Sequence, residues 1–209
     1  MSRHVESCLQ KHLSPKASVP STKDRGVFLI EIVGYKRYWM YVEVLEYTTL
    51  ADLDQFLRGI WLECCGHLSE FNIYGQRFSD DTEDGEECPT TVGIAEVLGV
   101  GDSFKYTYDF GSSTDLSCRI LSVRRGTMKK RIQVLARNHL PELPCVVCQK
   151  EASSICMWCG EGVCRTCVKK HSCGNGKCEC RPFVNSPRAG VCGYEGSAED
   201  MHRYAPDLG

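Results

Sequence analysis

Seven cysteines and one histidine lie within the twenty-nine residues from position 145 to position 173, and their spacing is typical of metal ligands. Three Cys-x2-Cys pairs are followed by one His-x-Cys pair. A Cys-x2-Cys pair on a tight turn lets two thiolates converge on one tetrahedral Zn2+, so four pairs supply two closed sites. The sequence therefore predicts two Zn2+ per chain, held by Cys145, Cys148, Cys156, Cys159, Cys164, Cys167, His171 and Cys173.

The pairing of these ligands has two solutions. The intervals of seven, four and three residues between consecutive pairs are short for sequential sites. We therefore expect the first Cys-x2-Cys pair to share an ion with the third, and the second to share one with the His-x-Cys pair; sequential pairing is the alternative. Either way, all four coordination positions belong to the protein, which disfavours a hydrolytic zinc. Seven thiolates and two Zn2+ would change the formal charge of residues 145–173 from +2 to −1, which disfavours phosphate binding.

The composition favours cysteines that bind metal over cysteines that form disulfides. The 209 residues, 42% of them hydrophobic, suffice for one ordinary core and a small additional module. There is no run of eighteen apolar residues and no apolar segment near the N-terminus, so we expect neither a membrane span nor a secretory signal. The expected location is the cytoplasm, where thiols stay reduced and are available to metals. The formal net charge of −2 favours no class of partner.

Periodicity predicts the elements that position these ligands. Residues 1–25 have no period and are typical of a flexible tail, whereas two apolar runs after Gly26 predict two strands that can form a hairpin. The segment at 48–63 predicts an amphipathic helix, with Thr49 as its N-cap and Asp52 in its first turn.

Further strands are predicted at 70–78, 103–111, 116–126 and 129–141, with one or two helical turns near 90–102. The aromatic stripe of the strand at 103–111 is expected in the core. The acidic run at 79–87 predicts a solvated loop. A calcium loop starting at Asp80 is the alternative, but its twelfth position is Thr91, where such a loop needs glutamate.

These elements predict an α+β fold in which an antiparallel sheet packs with helices. The expected division is a tail at 1–25, an α+β domain at 26–144, an inserted double-zinc module at 145–180, and a segment at 181–209 that packs back on the α+β domain.

Between Leu116 and Pro141 there is no acidic residue, while seven Lys and Arg residues supply positive charge. The favoured interpretation is the polar face of a hairpin whose tip lies at Gly126, because charge runs are usually solvated surface. The alternative is a surface that binds nucleic-acid phosphates. Its candidate residues are Arg124, Arg125, Lys129, Lys130 and Arg131.

Three segments carry a resemblance to a known family: "TLADLDQFLRGIWLECCGHLSEFNIYGQRF", "VLGVGDSFKYTYDFG" and "VNSPRAGVCGYEG". They resemble the plasmid pRiA4b ORF-three-like family, which includes the TnpR-named passenger proteins of insertion elements. The resemblance covers roughly residues 26–140 and 181–196, and the cysteine pairs resemble an insert carried by an archaeal and bacterial branch. It implies an α+β domain with an antiparallel sheet, an association with mobile elements, and no assigned activity.

The sequence departs from that family in two places. Relatives continue "YDFG" with Asp-Ser-Trp and a nearby His, whereas residues 112–115 are Ser-Ser-Thr-Asp, so a site built on that Trp or His would be missing. Cys178 and Cys180 stand where relatives are apolar. We expect them to be free surface thiols, with spare metal ligands as the alternative.

The favoured function is a binding or adaptor protein without catalytic activity, whose structural zinc supports a surface for another macromolecule, a protein rather than a nucleic acid. The alternative is a nucleic-acid-binding protein associated with mobile elements, acting through the basic stretch at 119–137. A third hypothesis is a thiol-dependent enzyme with Cys192 as nucleophile and His67, His139 or His202 as base. The favoured interpretation of Cys192 is instead a small buried cysteine in a tight turn.

Overall fold

The computed structural model describes residues 24–80, 88–174, 176, 178–197 and 201–205. All but the last two positions of the predicted tail lie outside this part of the chain, and so does most of the acidic run with the alternative calcium loop. Within the described residues, the helices are too short or too polar to span a bilayer.

A seven-stranded antiparallel sheet dominates the molecule, so helices contribute less than the α+β prediction implies. Its strand order is β4-β3-β5-β6-β1-β2-β7, and the predicted hairpin of β1 and β2 is confirmed. β5 and the first half of β6 alternate buried and exposed side chains, whereas most side chains of β1 and β2 are buried, and one face of the sheet carries the core. The strands are β1 (Arg25–Gly34), β2 (Tyr38–Leu45), β3 (Ser69–Ile73), β4 (Gln76–Phe78), β5 (Ser103–Tyr108), β6 (Thr114–Gly126) and β7 (Ile132–Arg137).

The predicted helix begins at its predicted cap. In α1 (Leu50–Leu57) the Thr49 hydroxyl accepts from the Asp52 backbone N–H at 3.1 Å, and the Asp52 carboxylate accepts from the Thr49 N–H at 2.9 Å. Its apolar face is buried in the sheet's core, and the chain continues as a π-helical turn, Arg58–Leu62, that buries Trp61. The remaining helices are a single turn, α2 (Ile94–Val97), and a 3-10 turn (Met201–Tyr204).

Two predictions about the strands are wrong, one about the extent of a strand and one about the pairing of two strands. The segment at 70–78 is not one strand, because Tyr74 and Gly75 have positive φ and turn the chain between β3 and β4. The basic stretch does not form a hairpin with its tip at Gly126: β6 pairs with β1 and β5, whereas β7 pairs with β2. Alternation of apolar residues identifies a strand, but it does not say which strand lies beside it.

A second, three-stranded sheet lies in the cysteine-rich segment, in the order β10-β8-β9. Its strands are β8 (Ser154–Cys156), β9 (Gly162–Val163) and β10 (Cys180–Pro182). The chain leaves the large sheet after β7 and returns beside that point, since the Asn138 side chain donates to Asn185 Oδ1 at 2.8 Å and Asn185 Nδ2 donates to the Asn138 carbonyl at 2.7 Å. The two ends of residues 139–184 therefore lie side by side, while the predicted domain boundaries remain a prediction.

Residues 185–197, called here the return segment, dock on the large sheet through a buried ion pair. Arg188 is 0% exposed and its Nη2 donates to Asp109 Oδ2 at 2.5 Å; Asp109 is 5% exposed. This hydrogen bond lowers the pKa of Asp109 to about 2, although burial acts in the opposite direction. Ser186 also donates from its hydroxyl to the Trp61 carbonyl at 2.5 Å. The return segment thus covers the end of the π-helical turn.

Replacing Arg188 by Met should destabilise the fold strongly, because Asp109 would remain buried without its partner. We expect a loss of roughly 3 kcal/mol in the free energy of unfolding, measured by urea denaturation. The double variant Arg188→Met/Asp109→Asn should recover part of that loss. The control is Arg77→Met, which breaks the exposed pair with Glu70 and should cost less than about 1 kcal/mol. Equal costs for Arg188→Met and the control would contradict this view of the docking.

Candidate metal centres

The structure brings the eight predicted zinc ligands together in two groups of four. Within each group the sulfur and ring-nitrogen atoms all lie within 4.8 Å of one another. The groups combine alternate pairs, as in the favoured interpretation, rather than consecutive pairs. They are Cys145, Cys148, Cys164 and Cys167, and Cys156, Cys159, His171 and Cys173.

The separations within these groups match the edges of a zinc tetrahedron. Zn–S bonds of about 2.3 Å place two tetrahedral sulfurs about 3.8 Å apart, and a sulfur and an imidazole nitrogen about 3.6 Å apart. The measured values are 3.6 Å for Cys148 with Cys164, 3.6 Å for Cys156 with Cys173, and 3.4 Å for Cys159 Sγ with His171 Nε2. The side chains are therefore arranged for tetrahedral coordination.

Two Cys-x2-Cys turns repeat one hydrogen-bonding pattern. In each turn the backbone N–H four residues after the first cysteine donates to that cysteine's carbonyl at 2.8 Å, from Gln149 to Cys145 and from Gly160 to Cys156. Both Gln149 and Gly160 have positive φ, at 62° and 72°. The turn also aims amides at sulfur: the N–H groups of Cys159 and Trp158 lower the pKa of Cys156 to about 6, against the effect of its burial. This backbone favours a thiolate.

The cysteine-rich segment has little apolar core of its own. Among its described residues, the buried cluster consists of Cys145, Val163, Cys164 and Cys167, so three of the four members are candidate ligands. A core of this size cannot offset the chain entropy of some thirty-six ordered residues. Metal coordination is the interaction that can make up the difference, because in small metal modules binding free energy is also folding free energy.

Cys178 and Cys180 are not the surface thiols that the sequence suggested. Both are half-buried, because β10 pairs with β8 and places Cys180 opposite Cys156. Cys178 Sγ lies 3.4 Å from Cys156 Sγ, but only 2.9 Å from Cys180 Sγ. The second separation is shorter than a tetrahedral edge, so this trio fits an ion less well than the group that Cys156 forms with the predicted ligands.

A third group of metal-binding side chains was not predicted. Cys64, Cys65 and His67, directly after the π-helical turn, lie with Cys192 of the return segment so that their ligand atoms are within 4.8 Å of one another. The expectation that Cys192 is buried is wrong: it is exposed, with φ 47°. More than 120 residues separate it from the other three, so no spacing rule could find the group. The signal available in the sequence was the short segment "CCGH" at 64–67, which places three possible metal ligands within four positions.

Cys192, His67 and Asp109 do not have the arrangement of a catalytic triad. In a triad the imidazole uses one ring nitrogen for the nucleophile and the other for the carboxylate. Here the same atom, His67 Nε2, lies 3.3 Å from Cys192 Sγ and 3.4 Å from Asp109 Oδ2. His139 is exposed and stands outside this group, and the side chain of His202 lies outside the described part of the structure. The geometry therefore gives the thiol-enzyme hypothesis no proton relay.

Carboxylates from other parts of the chain pair with three of the five candidate residues of the basic stretch. Arg124 makes two hydrogen bonds to the buried Glu43, at 2.6 and 2.8 Å. Arg125 lies 3.7 Å from Glu46, and Arg131 lies 2.6 Å from Asp52. Lys130 donates to the Ala205 carbonyl at 2.7 Å. Nucleic-acid binding through this stretch remains a prediction, and these contacts leave less charge for phosphates than the sequence suggests.

Comparison with known proteins adds little. No family model matches the chain, and no curated protein matches it. One similar solved structure is the crystal structure of a protein of unknown function, MM3350, from Methanosarcina mazei Go1. It is 17% identical, the match covers 54% of this chain and 70% of that one, and the TM-score is 0.49. Similarity at this level supports no statement about the site.

Paired substitutions should distinguish alternate from consecutive pairing of the ligands. Cys148→Ser/Cys164→Ser removes two members of one observed group, so the chain should lose one metal ion relative to the unaltered protein. Cys148→Ser/Cys159→Ser removes one member of each group and should lose two. Native mass spectrometry counts the ions. Consecutive pairing requires the opposite result, with two ions lost in the first variant and one in the second.

Proposed function

We propose that this chain is a zinc-binding protein whose two ions in the cysteine-rich segment are structural and whose zinc module binds another protein. The observation that carries the proposal is the pair of four-ligand groups, each closed by alternate cysteine pairs. Thiolate and imidazole donors favour Zn2+ over oxygen-preferring cations such as Mg2+ and Ca2+. Four protein ligands also leave no coordination position for a substrate, which is typical of structural zinc.

The turns that hold the ligands present apolar side chains to solvent. Val146 and Val147, between Cys145 and Cys148, are 43% and 47% exposed, and Trp158, in the equivalent turn, is 62% exposed. Coordination of the flanking cysteines would fix these side chains in place, so they would lose little conformational freedom on binding. Exposed Trp is enriched among the residues that contribute most to protein interfaces. These features favour a protein partner for the module.

The proposal includes the resemblance to the pRiA4b ORF-three-like family and the association with mobile elements that this resemblance implies. It agrees with a mainly antiparallel sheet that carries a cysteine-rich segment near the C-terminus. Nucleic-acid binding is the alternative function. The ion pairs of Arg124, Arg125 and Arg131 make it the weaker of the two.

Cobalt substitution should show that the two module sites are closed. The double variant Cys64→Ser/Cys192→Ser removes two side chains of the third group, so that Co2+ binds in the module. In this variant we expect visible absorption typical of tetrahedral thiolate coordination. The spectrum should not change when azide or cyanide is added, because no ligand position is open. A spectrum that shifts with azide would show an exchangeable position and would contradict a structural role.

Replacing Trp158 should remove protein partners without removing zinc. Proteins that co-purify with the full chain from its source cells should be lost in Trp158→Ser, because the substitution removes the largest exposed apolar side chain of the module while leaving its ligands intact. Tyr74→Asn is the matched control, since Tyr74 is 73% exposed in the β3–β4 turn, and Asn tolerates its positive φ. A set of partners that is the same in both variants would contradict the proposal.

A further inference from the structure

We propose that Cys64, Cys65, His67 and Cys192 form a third metal site, separate from the cysteine-rich segment, that takes Zn2+ and clamps the return segment to the large sheet. Three thiolates and one imidazole are a tetrahedral donor set for this ion. The set joins the chain just after the π-helical turn to a residue more than 120 positions away. None of its four ligands belongs to the zinc module.

The sulfur–sulfur distances of this site are close to the edges of a zinc tetrahedron, and its sulfur–nitrogen distances are shorter than the ideal edge of about 3.6 Å. The Sγ atom of Cys65 lies 3.7 Å from that of Cys64 and 3.7 Å from that of Cys192, against an expected edge of about 3.8 Å. His67 Nε2 lies 3.0 Å from Cys65 Sγ and 3.3 Å from Cys192 Sγ. The sulfur separations and the 3.3 Å separation resemble those in the cysteine-rich segment, whereas the 3.0 Å separation is shorter than any of the three given there.

Hydrogen bonding alone does not account for this convergence. His67 Nε2 faces two sulfurs and the Asp109 carboxylate within 3.4 Å. A ring nitrogen that carries a proton can direct it at only one of them, and without a proton it can accept only one hydrogen bond. A divalent cation between the nitrogen and the three sulfurs interacts with all four donors at once.

The backbone on both sides of the site is built to bring the ligands together. Before Cys64, Glu63 donates from its N–H to the Arg58 carbonyl at 2.8 Å and closes the π-helical turn, a feature frequent at functional sites. Gly66, with φ 77°, then donates to Glu63 Oε1 at 2.5 Å and reverses the chain, so that His67 faces the two thiols.

Cys192 is held in a backbone conformation that cysteine rarely adopts. Its φ of 47° lies in the left-handed region, in a turn where Tyr194 donates to the Val191 carbonyl at 3.0 Å. The left-handed region is strained for a residue other than glycine, and such residues cluster at functional sites. The conformation directs an exposed sulfur at His67 rather than into the core.

A neighbouring cation complements the charge of the loaded site. Three thiolates and one Zn2+ carry a formal charge of −1. The buried guanidinium of Arg188 lies against the site, with Nη2 donating to Cys64 Sγ at 3.6 Å. The Tyr108 hydroxyl lies 4.0 Å from the same sulfur. Groups of this kind orient ligands and tune metal affinity.

The test counts zinc in the purified, reduced, zinc-loaded full chain by native mass spectrometry and elemental analysis. We expect three ions in the unaltered protein and two in each of the variants Cys192→Ser and Cys65→Ser. Both positions are exposed, so neither substitution should prevent folding, and circular dichroism checks this. Cys88→Ser is the matched control: Cys88 is half-buried, stands outside every group of ligands among the described residues, and should keep all three ions.

The possible results separate this site from the zinc module. Two ions in the unaltered protein and two in Cys192→Ser would overturn the third site. Peptide mapping of the non-reduced chain could instead show a Cys65–Cys192 disulfide together with two bound ions. If reduction of that disulfide then led to no third ion, the third site would be overturned as well. A third result is a single ion in the unaltered protein that is lost in Cys192→Ser but retained in Cys148→Ser/Cys159→Ser. This result would support the third site and contradict the proposed function of the module.

Discussion

The ion pair between Arg188 and Asp109 determines how the C-terminal part of the chain sits on the large sheet. Arg188 is completely buried, and besides Asp109 it donates to the Ser112 carbonyl and to the Thr114 hydroxyl. Its two terminal nitrogens thus have acceptors while its Nε has none among the described residues, and because a buried guanidinium is costly without such partners, these contacts favour one docked position of the return segment. That docking fixes Cys192 four residues later, and with it the third group of metal-binding side chains.

The sequence predicted the features that depend on spacing along the chain. It missed the features that depend on which distant segment of the chain lies alongside. The cap at Thr49, the positions of most strands of the large sheet and the grouping of alternate ligand pairs in the cysteine-rich segment follow from spacing along the chain. The neighbours of β6 and β7 in the sheet do not, because apolar alternation is the same whichever strand lies alongside. Cys192 was misjudged for a related reason: its environment is made by Cys65 and His67, which come near it when the return segment docks through Arg188 and Ser186.

The two parts of the chain differ in what can stabilise them: the large sheet has an apolar core, and the cysteine-rich segment has groups of side chains that could hold metal ions. The large sheet and α1 bury one continuous core that includes Trp61, Phe56 and Tyr106. The cysteine-rich segment has a buried cluster made mostly of candidate ligands. Gly190 lies where the two parts meet: it has φ 81°, and an added Cβ would come within 2.9 Å of Ile155. Glycine there permits close packing of the return segment against the module.

The position of the return segment also sets an order of events during synthesis. The strands and helices of the large sheet are complete once β7 has been made, yet Asp109 and the end of the π-helical turn wait for residues that lie about fifty positions further along. At translation rates of about 5–20 residues per second, that is an interval of roughly 3–10 seconds. During that time a nascent chain would expose a carboxylate pocket and part of the surface around Trp61. The cysteine-rich segment is made within the same interval, before the return segment that covers this surface.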